Sequence, residues 1–523
     1  MDTSTVPLYD PSTMEPLGPG SLPSTTQEGI LEAVSKARAA QVAWGKSSFA
    51  TRNRVLKRMQ QFIVEHQTEI CELSMLDSGK TMMDAHYGEL FPVLEKIRFL
   101  AEHGEATLAT ESRPVGSLLQ KVAQVEYSPL GVCGIIAPFN WPFHNIMCPL
   151  LPVLYAGNGA VIKVSEWTSY STEYYAAMVR DALEAEGFSG DLVQFVLGWG
   201  DVGAGLVTSG VDKIFFTGSP QNGRKVMAAA SETLTPVVLE LGGKDPMIVT
   251  DDADFEHAVS QAMLGVFTSC GQMCVGAERI FVHASIHDKF VNAVVDKLKR
   301  SSQGPPIEGC HDIGSTTMPR QLDIIEDLVN DALARGATAV VGGKRNTKYK
   351  GQFWEPTVLI NVTPDMRIMQ EEHFGPVMVI MAWQTDDEVI ALANDCPYGL
   401  GASVFSSDPK RARKLADAIV SGMVAINDYG ITYVCQSLPF GGTKISGVGR
   451  INGPEGLKAC AHVKAVLEDR FPFSIKLPAV WQYPVNQNDG VAFAQNVIRM
   501  MYGDGAFDKA KAAISMVPML SKL

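Results

Sequence analysis

Two side chains in this sequence have the types and settings for a two-step covalent reaction. Cys274 stands in Cys270-Gly-Gln-Met-Cys274-Val-Gly276, after the apolar run 262–267. Gly and Gln at those positions predict a turn on which backbone N–H groups face the thiol. Such donors favour a thiolate and would also hold an oxyanion. A small buried core residue is the other reading open to a free cysteine. Glu240 stands near the end of the apolar pattern 237–241, which runs directly into Gly242 and Gly243. Burial there would raise its pKa towards that of a useful general base. A solvent-facing strand end is the alternative and implies no chemistry.

Two further stretches suit a nucleotide. Phe216-Thr-Gly218-Ser219-Pro-Gln-Asn-Gly223 follows a strand pattern and opens a helix. Gly218, Ser219 and Gly223 would let backbone N–H groups approach a phosphate at the helix N-terminus. The spacing is not G-x-G-x-x-G, and a plain strand–turn–helix explains it equally. Lys163-Val-Ser-Glu166 follows the apolar strand 159–163. A carboxylate in that position can accept bonds from ribose hydroxyls, or it is a solvated loop charge.

The elements that must position these residues alternate. Residues 26–110 carry helical periodicity, then 122–137 reads as strand, 144–156 as helix and 159–163 as strand. Helix 170–186, strand 192–196, strand 213–217, a helix from about 223 to 234 and strand 236–241 follow. Short strands between helices predict an α/β fold with parallel sheet covered on both faces. A second alternating series runs from 253 to about 427, so the join falls near Leu241-Gly242-Gly243. Residues 471–523 hold Pro472, Pro478 and Pro484 and then amphipathic stretches near 491–502 and 506–518, as an appended segment would.

Composition excludes several classes. With 46% hydrophobic and 19% charged residues over 523 positions, the chain has the makeup of a folded protein with room for sizeable cores. A net charge of −13 argues against nucleic acid or an anionic membrane as partner. Nine scattered cysteines without a C-x-x-C pair predict reduced thiols and no metal site. The apolar region 130–164 is interrupted by prolines and asparagines, so no membrane span is expected. The N-terminus has no basic start or apolar core of a secretory signal.

Taken in order, the motifs resemble the aldehyde dehydrogenase superfamily, of the NAD(P)-dependent, non-acylating type. The residues that carry the resemblance are Pro138-Phe-Asn140-Trp-Pro142, Lys163-Val-Ser-Glu166, Phe216-Thr-Gly-Ser219, Leu239-Glu240-Leu-Gly-Gly-Lys244 and Gly271-Gln-Met-Cys274. Downstream come Glu371-Glu372-His-Phe374-Gly-Pro376, Asn394, Tyr398-Gly-Leu400, Asn427, Pro439-Phe-Gly-Gly442, Lys444 and Ser446-Gly-Val-Gly-Arg450. The match covers roughly residues 5–470, and so many motifs in one order leave little room for coincidence.

The resemblance implies a Rossmann-like NAD-binding domain over 1–114 and 130–240, and an α/β catalytic domain over 241–443. It also implies a small β-stranded oligomerisation arm over 115–129 and 444–470, and a homodimer or homotetramer. It implies that the Cys274 thiolate attacks an aldehyde, that the Asn140 amide and the Cys274 backbone N–H hold the oxyanion, and that Glu240 activates water to hydrolyse the thioester. For NAD it implies Lys163 and Glu166 at the adenosine ribose, Gly218 and Ser219 at the pyrophosphate, Glu372 at the nicotinamide ribose and Phe374 beside the ring. The loop 427–440 would line the substrate tunnel. Trp141, Tyr429, Tyr433 and Phe440 give it an apolar or aromatic mouth, and no basic residue in the loop advertises a carboxylate-bearing substrate. Many members carry an acidic residue after the G-x-G-R run, whereas Ile451 follows Arg450 here. Two rivals stand beside this reading. One is a CoA-acylating enzyme, which would not need a water-activating Glu240. The other is a catalytically silent scaffold or binding protein of the same fold. The chain ends Ser521-Lys522-Leu523, a receptor-read peroxisomal address that would lead to glycosomes where those exist. The expected partners are thus an import receptor and a small aldehyde; without import the location would be cytoplasmic.

Overall fold

The computed structural model describes residues 3–484 and 487–520; the terminal Ser-Lys-Leu tripeptide lies outside them. The chain divides into two compact units, Met1–Leu108 with Ser128–His462, and Ala109–Tyr127 with Val463–Leu523.

The first unit is built on two sheets. One has six strands in the order Gly447–Val448, Val237–Leu241, Lys213–Gly218, Val132–Ile136, Gly159–Lys163, Val193–Val196. All pair in parallel except the short Gly447–Val448 edge, which runs antiparallel to Glu240 and Leu239. The strands Val132–Ile136 and Gly159–Lys163 are buried at every position. They therefore show continuous apolar runs instead of alternation, as parallel strands covered on both faces do. The first of these strands lies between the second and the fourth, so the chain winds outward in opposite directions from it. Such a reversal opens a crevice at the carboxyl ends of the two central strands, where ligands of doubly wound sheets bind. Residues 137–142 and the turn at Gly218-Ser219 are the segments that leave those ends.

The second sheet has seven strands, in the order Thr338–Val341, Thr357–Ile360, Val377–Trp383, Ala277–His283, Asp245–Val249, Ser403–Phe405, Ala425–Ile426. Only Thr338–Val341 runs antiparallel to its neighbour. Apolar side chains from helix Pro319–Ala334 cover one face, among them Ile325, Leu328 and Val329, with Trp354 and Trp383 fully buried beside them. Helices Phe255–Phe267 and His287–Leu298 cover the other. The connection from Asp245–Val249 to Ala277–His283 carries Cys274.

Local chemistry moves several boundaries. The helix expected from Gly223 starts at Pro220, because the Ser219 side chain accepts from the Asn222 N–H and proline suits the first helical turn. The single strand expected over 122–137 is two, Lys121–Pro129 and Val132–Ile136. The Asn158 Oδ1 accepts from the N–H groups of Leu130 and Gly131 at the break. A hairpin of Thr5–Tyr9 with Pro16–Pro23 was not expected, since its Pro- and Gly-rich sequence carries no strand pattern. Residues 444–462, expected in the arm, belong to the first unit: Gly447–Val448 completes the sheet edge beside Glu240, and helix Gly453–Lys458 packs on helix Phe91–Thr107.

The second unit combines most of a three-stranded sheet, in the order Ala461–Asp469, Lys121–Pro129, Glu111–Arg113, with helices Gln487–Tyr502 and Ala506–Leu520. The two helices pack on each other, and Trp481 meets Phe493 edge-to-face at 5.2 Å. Among the described residues, no helix is long and apolar enough to cross a membrane.

Candidate active site

Glu240 is the next-to-last residue of the buried strand Val237–Leu241 and is 4% exposed. Its carboxyl lies beside the Cys274 thiol, and its Oε1 is buried without a hydrogen-bond partner. Burial pushes its pKa up to about 8, against the smaller opposing pull of the neighbouring Cys274 thiol. Cys274 arrives on a strained turn: Ser269, Cys270 and Gly271 are left-handed in succession, with φ of 50°, 56° and 74°. The glycine is required there, because a Cβ would lie 2.1 Å from the Gly375 carbonyl oxygen. Gly243 is likewise required, since a Cβ would lie 2.5 Å from the Cys274 carbonyl oxygen. The thiolate expected from the turn is not what the site favours at rest. Burial first, and then the nearby Glu240 carboxyl, push the Cys274 thiol well above its ordinary range.

Asn140 lies in the segment leaving the central strand, 5% exposed. Its Nδ2 donates to the Gln272 carbonyl at 2.9 Å, and its Oδ1 accepts from Asn145 Nδ2 at 3.0 Å. An amide has two N–H donors, so one remains for the cavity that Asn140, Glu240 and Cys274 all line. This cavity of about 100 Å³ is walled by Trp141, Tyr429, Tyr433 and Phe440, the four aromatic residues expected at a tunnel, together with Leu264 and Met273. Ile451 also lines it.

The residues expected at a nucleotide sit beside the crevice. Lys163 is buried and donates to Glu166 at 2.7 Å. Ser219 caps its helix, and Gly218 ends the strand before it. Gly223 serves packing: a Cβ would lie 2.6 Å from Leu241 Cδ2, so the glycine lets the helix approach the sheet. Glu372 Oε1 accepts from the Gly243 N–H at 3.0 Å, which fixes the carboxyl over the Gly242–Gly243 turn. Burial, then the Glu278 charge, push its pKa well above the carboxylate range. Phe374 has φ of 48° and meets Phe139 edge-to-face at 6.0 Å. A dinucleotide fits this set: a positioned carboxyl for each ribose diol, a helix N-terminus between them, and an aromatic ring at one end. Among the described residues, no group of three or more His, Cys, Asp or Glu is placed to hold a metal.

Several supporting residues gave no signal in the sequence. Lys80, fully buried, pairs with Glu89, donates to the Asn140 carbonyl at 2.8 Å and lies 4.1 Å from the Trp141 ring centroid. Glu89 also accepts from the His144 N–H at 2.8 Å, so one ion pair holds both ends of the Asn140–His144 segment. His144 bonds to the Tyr433 hydroxyl, and burial lowers its pKa to about 3, leaving it neutral. Gln272 Oε1 accepts from the Thr317 N–H at 2.9 Å, fixing the carbonyl that orients Asn140. Beneath Glu372, Glu278 pairs with Lys244 at 2.6 Å, lies 2.8 Å from His373 Nδ1 and accepts from the Phe374 N–H at 2.9 Å. Only His144 was legible in principle, three residues after Trp141 at the start of a helix; the others are joined across long sequence separations.

A thiol beside a buried carboxyl, an amide poised at the same cavity and a dinucleotide-type crevice beside them define an α/β enzyme of covalent catalysis. Comparison with known proteins gives the family. The aldehyde dehydrogenase family model matches residues 1–466, and the chain belongs to that family. An aldehyde dehydrogenase-like protein of Saccharomyces cerevisiae is 39% identical over 95% of this chain and 80% of its own length. Human retinal dehydrogenase 2 is 36% identical over 88% of each. A point mutant of Staphylococcus aureus betaine aldehyde dehydrogenase, solved in complex with NAD+, has a TM-score of 0.84 at 33% identity, covering 91% of this chain and 96% of that one.

Proposed function

We propose that this enzyme carries out NAD-dependent oxidation of an apolar or aromatic aldehyde to its carboxylic acid, through a thioester on Cys274. The observation that carries the reading is that the buried Glu240 carboxyl and the Cys274 thiol line one aromatic-walled cavity. Family membership and likeness to NAD+ complexes support the cofactor and the reaction.

In the first half-reaction the Cys274 thiol gives up its proton and the sulfur adds to the aldehyde carbon. The ionised fraction of Glu240 is the acceptor within reach. The carbonyl oxygen becomes an oxyanion, held by the free Asn140 N–H and the Cys274 backbone N–H. Asn140 is preorganised for this by Gln272 and Asn145. Bound NAD supplies the acceptor for the hydride that the tetrahedral carbon loses, which leaves the thioester. Lys163, Glu166, Ser219, Gly218, Glu372 and Phe374 would hold it, with Gly223 setting the helix at the required distance. Glu240 then takes a proton from water as its oxygen attacks the thioester, releasing the acid and restoring the thiol. A CoA-acylating reading gains no support from Glu240, because CoA needs no water-activating base.

An aldehyde panel followed by NADH absorbance tests the activity, and trapping of an acyl group on Cys274 by mass spectrometry tests the route. Lack of NADH formation with every aliphatic and aromatic aldehyde would overturn the reading. Assembly as a homodimer or homotetramer belongs to the same proposal; a monomeric mass by light scattering counts against it. Peroxisomal delivery through Ser521-Lys522-Leu523 is a separate proposal. An N-terminal fluorescent fusion should be punctate and become diffuse without the tripeptide; diffuse signal from both forms refutes it.

A further inference from the structure

Four lysines are buried among the described residues: Lys80, Lys96, Lys163 and Lys244. Three are ion-paired, with Glu89, Glu166 and Glu278 respectively. Lys96 is not. It is 2% exposed, and its ammonium donates to the Asn452 Oδ1, a neutral amide. An ammonium offers three donors, so two N–H groups and a full charge are left without a protein acceptor. Burial lowers the Lys96 pKa to about 8, which still leaves the ammonium dominant at neutral pH. A charge removed from water without a counter-ion is unfavourable unless something else compensates it.

The position of this group gives it a use. Lys96 and Asn452 line a small cavity of about 10 Å³, enough for about one water-sized group. Its walls include Cys148, Pro149, Phe215 and Ile451, and the same four residues wall the large cavity that holds Cys274 and Glu240. The two spaces are therefore neighbours. Ile451, at the position where the acidic residue is missing, adds no negative charge to cancel Lys96. Asn452 Nδ2 also reaches the Tyr433 carbonyl at 3.5 Å, linking the group to the aromatic wall.

We infer that Lys96 and Asn452 form a distal subsite of the substrate cavity, which takes an acceptor oxygen, of a carbonyl or a carboxylate, at the far end of an apolar aldehyde. The inference rests on aldehyde oxidation as proposed above and narrows its substrate class. The tunnel loop gave no hint of it, because Lys96 comes from helix Phe91–Thr107.

The test uses three aldehydes of one chain length, ending in a methyl group, a methyl ketone or a carboxylate. Wild type should favour at least one oxygen-terminated aldehyde over the methyl one by about tenfold or more in kcat/KM, since a site built to bond an oxygen rejects the analogue that lacks it. The ketone and carboxylate arms distinguish the two sources of that oxygen. Lys96→Met should bring the ratio close to one, and Lys96→Arg should keep part of it. Preference for the methyl-terminated aldehyde in wild type, or a preference that survives in Lys96→Met, overturns the inference. Should Lys96→Met fail to fold, the wild-type ratio and Asn452→Leu carry the same comparison. Oxidation of none of the three would count against the proposed activity. The subsite is then read by calorimetry of wild type with the non-reactive dicarboxylate and the corresponding monocarboxylate, and no tighter binding of the dicarboxylate overturns it.

Discussion

Glu240 and Glu278 are both buried carboxyls in the same unit, yet they are held in opposite states. Glu240 has only the Cys274 thiol beside it and no partner at Oε1, and burial pushes it up to about 8. For Glu278, burial acts in the same upward direction, but the charges and bonds of His373 and Lys244 outweigh it and hold it at about 2. Burial alone thus does not decide what a carboxyl does. Left short of partners, it keeps a proton that can be lost near neutral pH and is suited to chemistry. Saturated with partners, it is a fixed anion that organises backbone, here the N–H groups of His373 and Phe374 next to Glu372.

The sharpest way to break this contrast is to remove the groups on the reactive side. Cys274→Ala should abolish dehydrogenase turnover while the enzyme still melts higher in NAD. Near wild-type turnover would move the nucleophile elsewhere, with Cys270 the next thiol along the same turn. Glu240→Gln should be milder, because Gln keeps the shape and loses only the proton acceptor. Steady-state turnover should fall by roughly 10²–10⁴-fold, while a single burst of NADH and the thioester persist. Unchanged steady-state turnover, with thioester hydrolysis rate-limiting in wild type, would remove Glu240 from the base role.

On the structural side, Glu278→Gln leaves Lys244 buried without its counter-charge. Breaking a buried pair from one side costs about 3–5 kcal/mol, so the variant should unfold at clearly lower denaturant with folded-state NAD binding retained. A loss within about 0.5 kcal/mol, the range of ordinary surface changes, would mean that Glu278 is not the anchor described here.

The two carboxyls should also leave opposite marks on stability against pH. Glu240 is raised in the folded state, so its contribution is complete below about pH 4.5 and is lost as pH rises through about 8. Glu278 is depressed, so its contribution is present above about pH 4.5 and is lost as pH falls through about 2. Denaturant unfolding from pH 4 to 9 should therefore show Glu240→Gln flattening the decline between about pH 4.5 and 8. A decline of the same slope in both proteins would refute a raised Glu240.

Much of this was legible in the sequence for a physical reason. The doubly wound sheet announced itself through short apolar runs, since strands buried on both faces must be apolar throughout, as Val132–Ile136 is. Cys274, Glu240 and Asn140 lie in compact local motifs, and the structure brings all three to one cavity. What escaped was the support built by distant pairs: Lys80 reaching the Asn140 carbonyl, or Lys96 reaching Asn452 across 356 positions. A buried lysine is indistinguishable from a surface one until its surroundings are known. The protonated resting thiol escaped for a related reason. The turn chemistry around Cys274 favours a thiolate, and only the folded arrangement adds the desolvation and the carboxyl that outweigh it.

The smallest effect tests an intermediate case, a carboxylate that is paired but only partly buried. Glu166 bonds to Lys163 at 2.7 Å, with the carboxylate more exposed than the ammonium. Lys163 is therefore already neutralised, and its charge is not free to welcome a second phosphate. An adenosine ribose with both hydroxyls can donate to Glu166, whereas a 2′-phosphate brings added negative charge against the carboxylate. NAD should accordingly exceed NADP in kcat/KM. Glu166→Gln should narrow the gap in two ways at once, by removing the repulsion and by releasing the Lys163 ammonium to face the phosphate. The gain should lie in KM for NADP, with kcat little changed, because the adenosine end is remote from the reacting carbon. If wild type prefers NADP, or if Glu166→Gln leaves the NAD-to-NADP ratio unaltered, Glu166 is a structural partner of Lys163 and does not choose the cofactor.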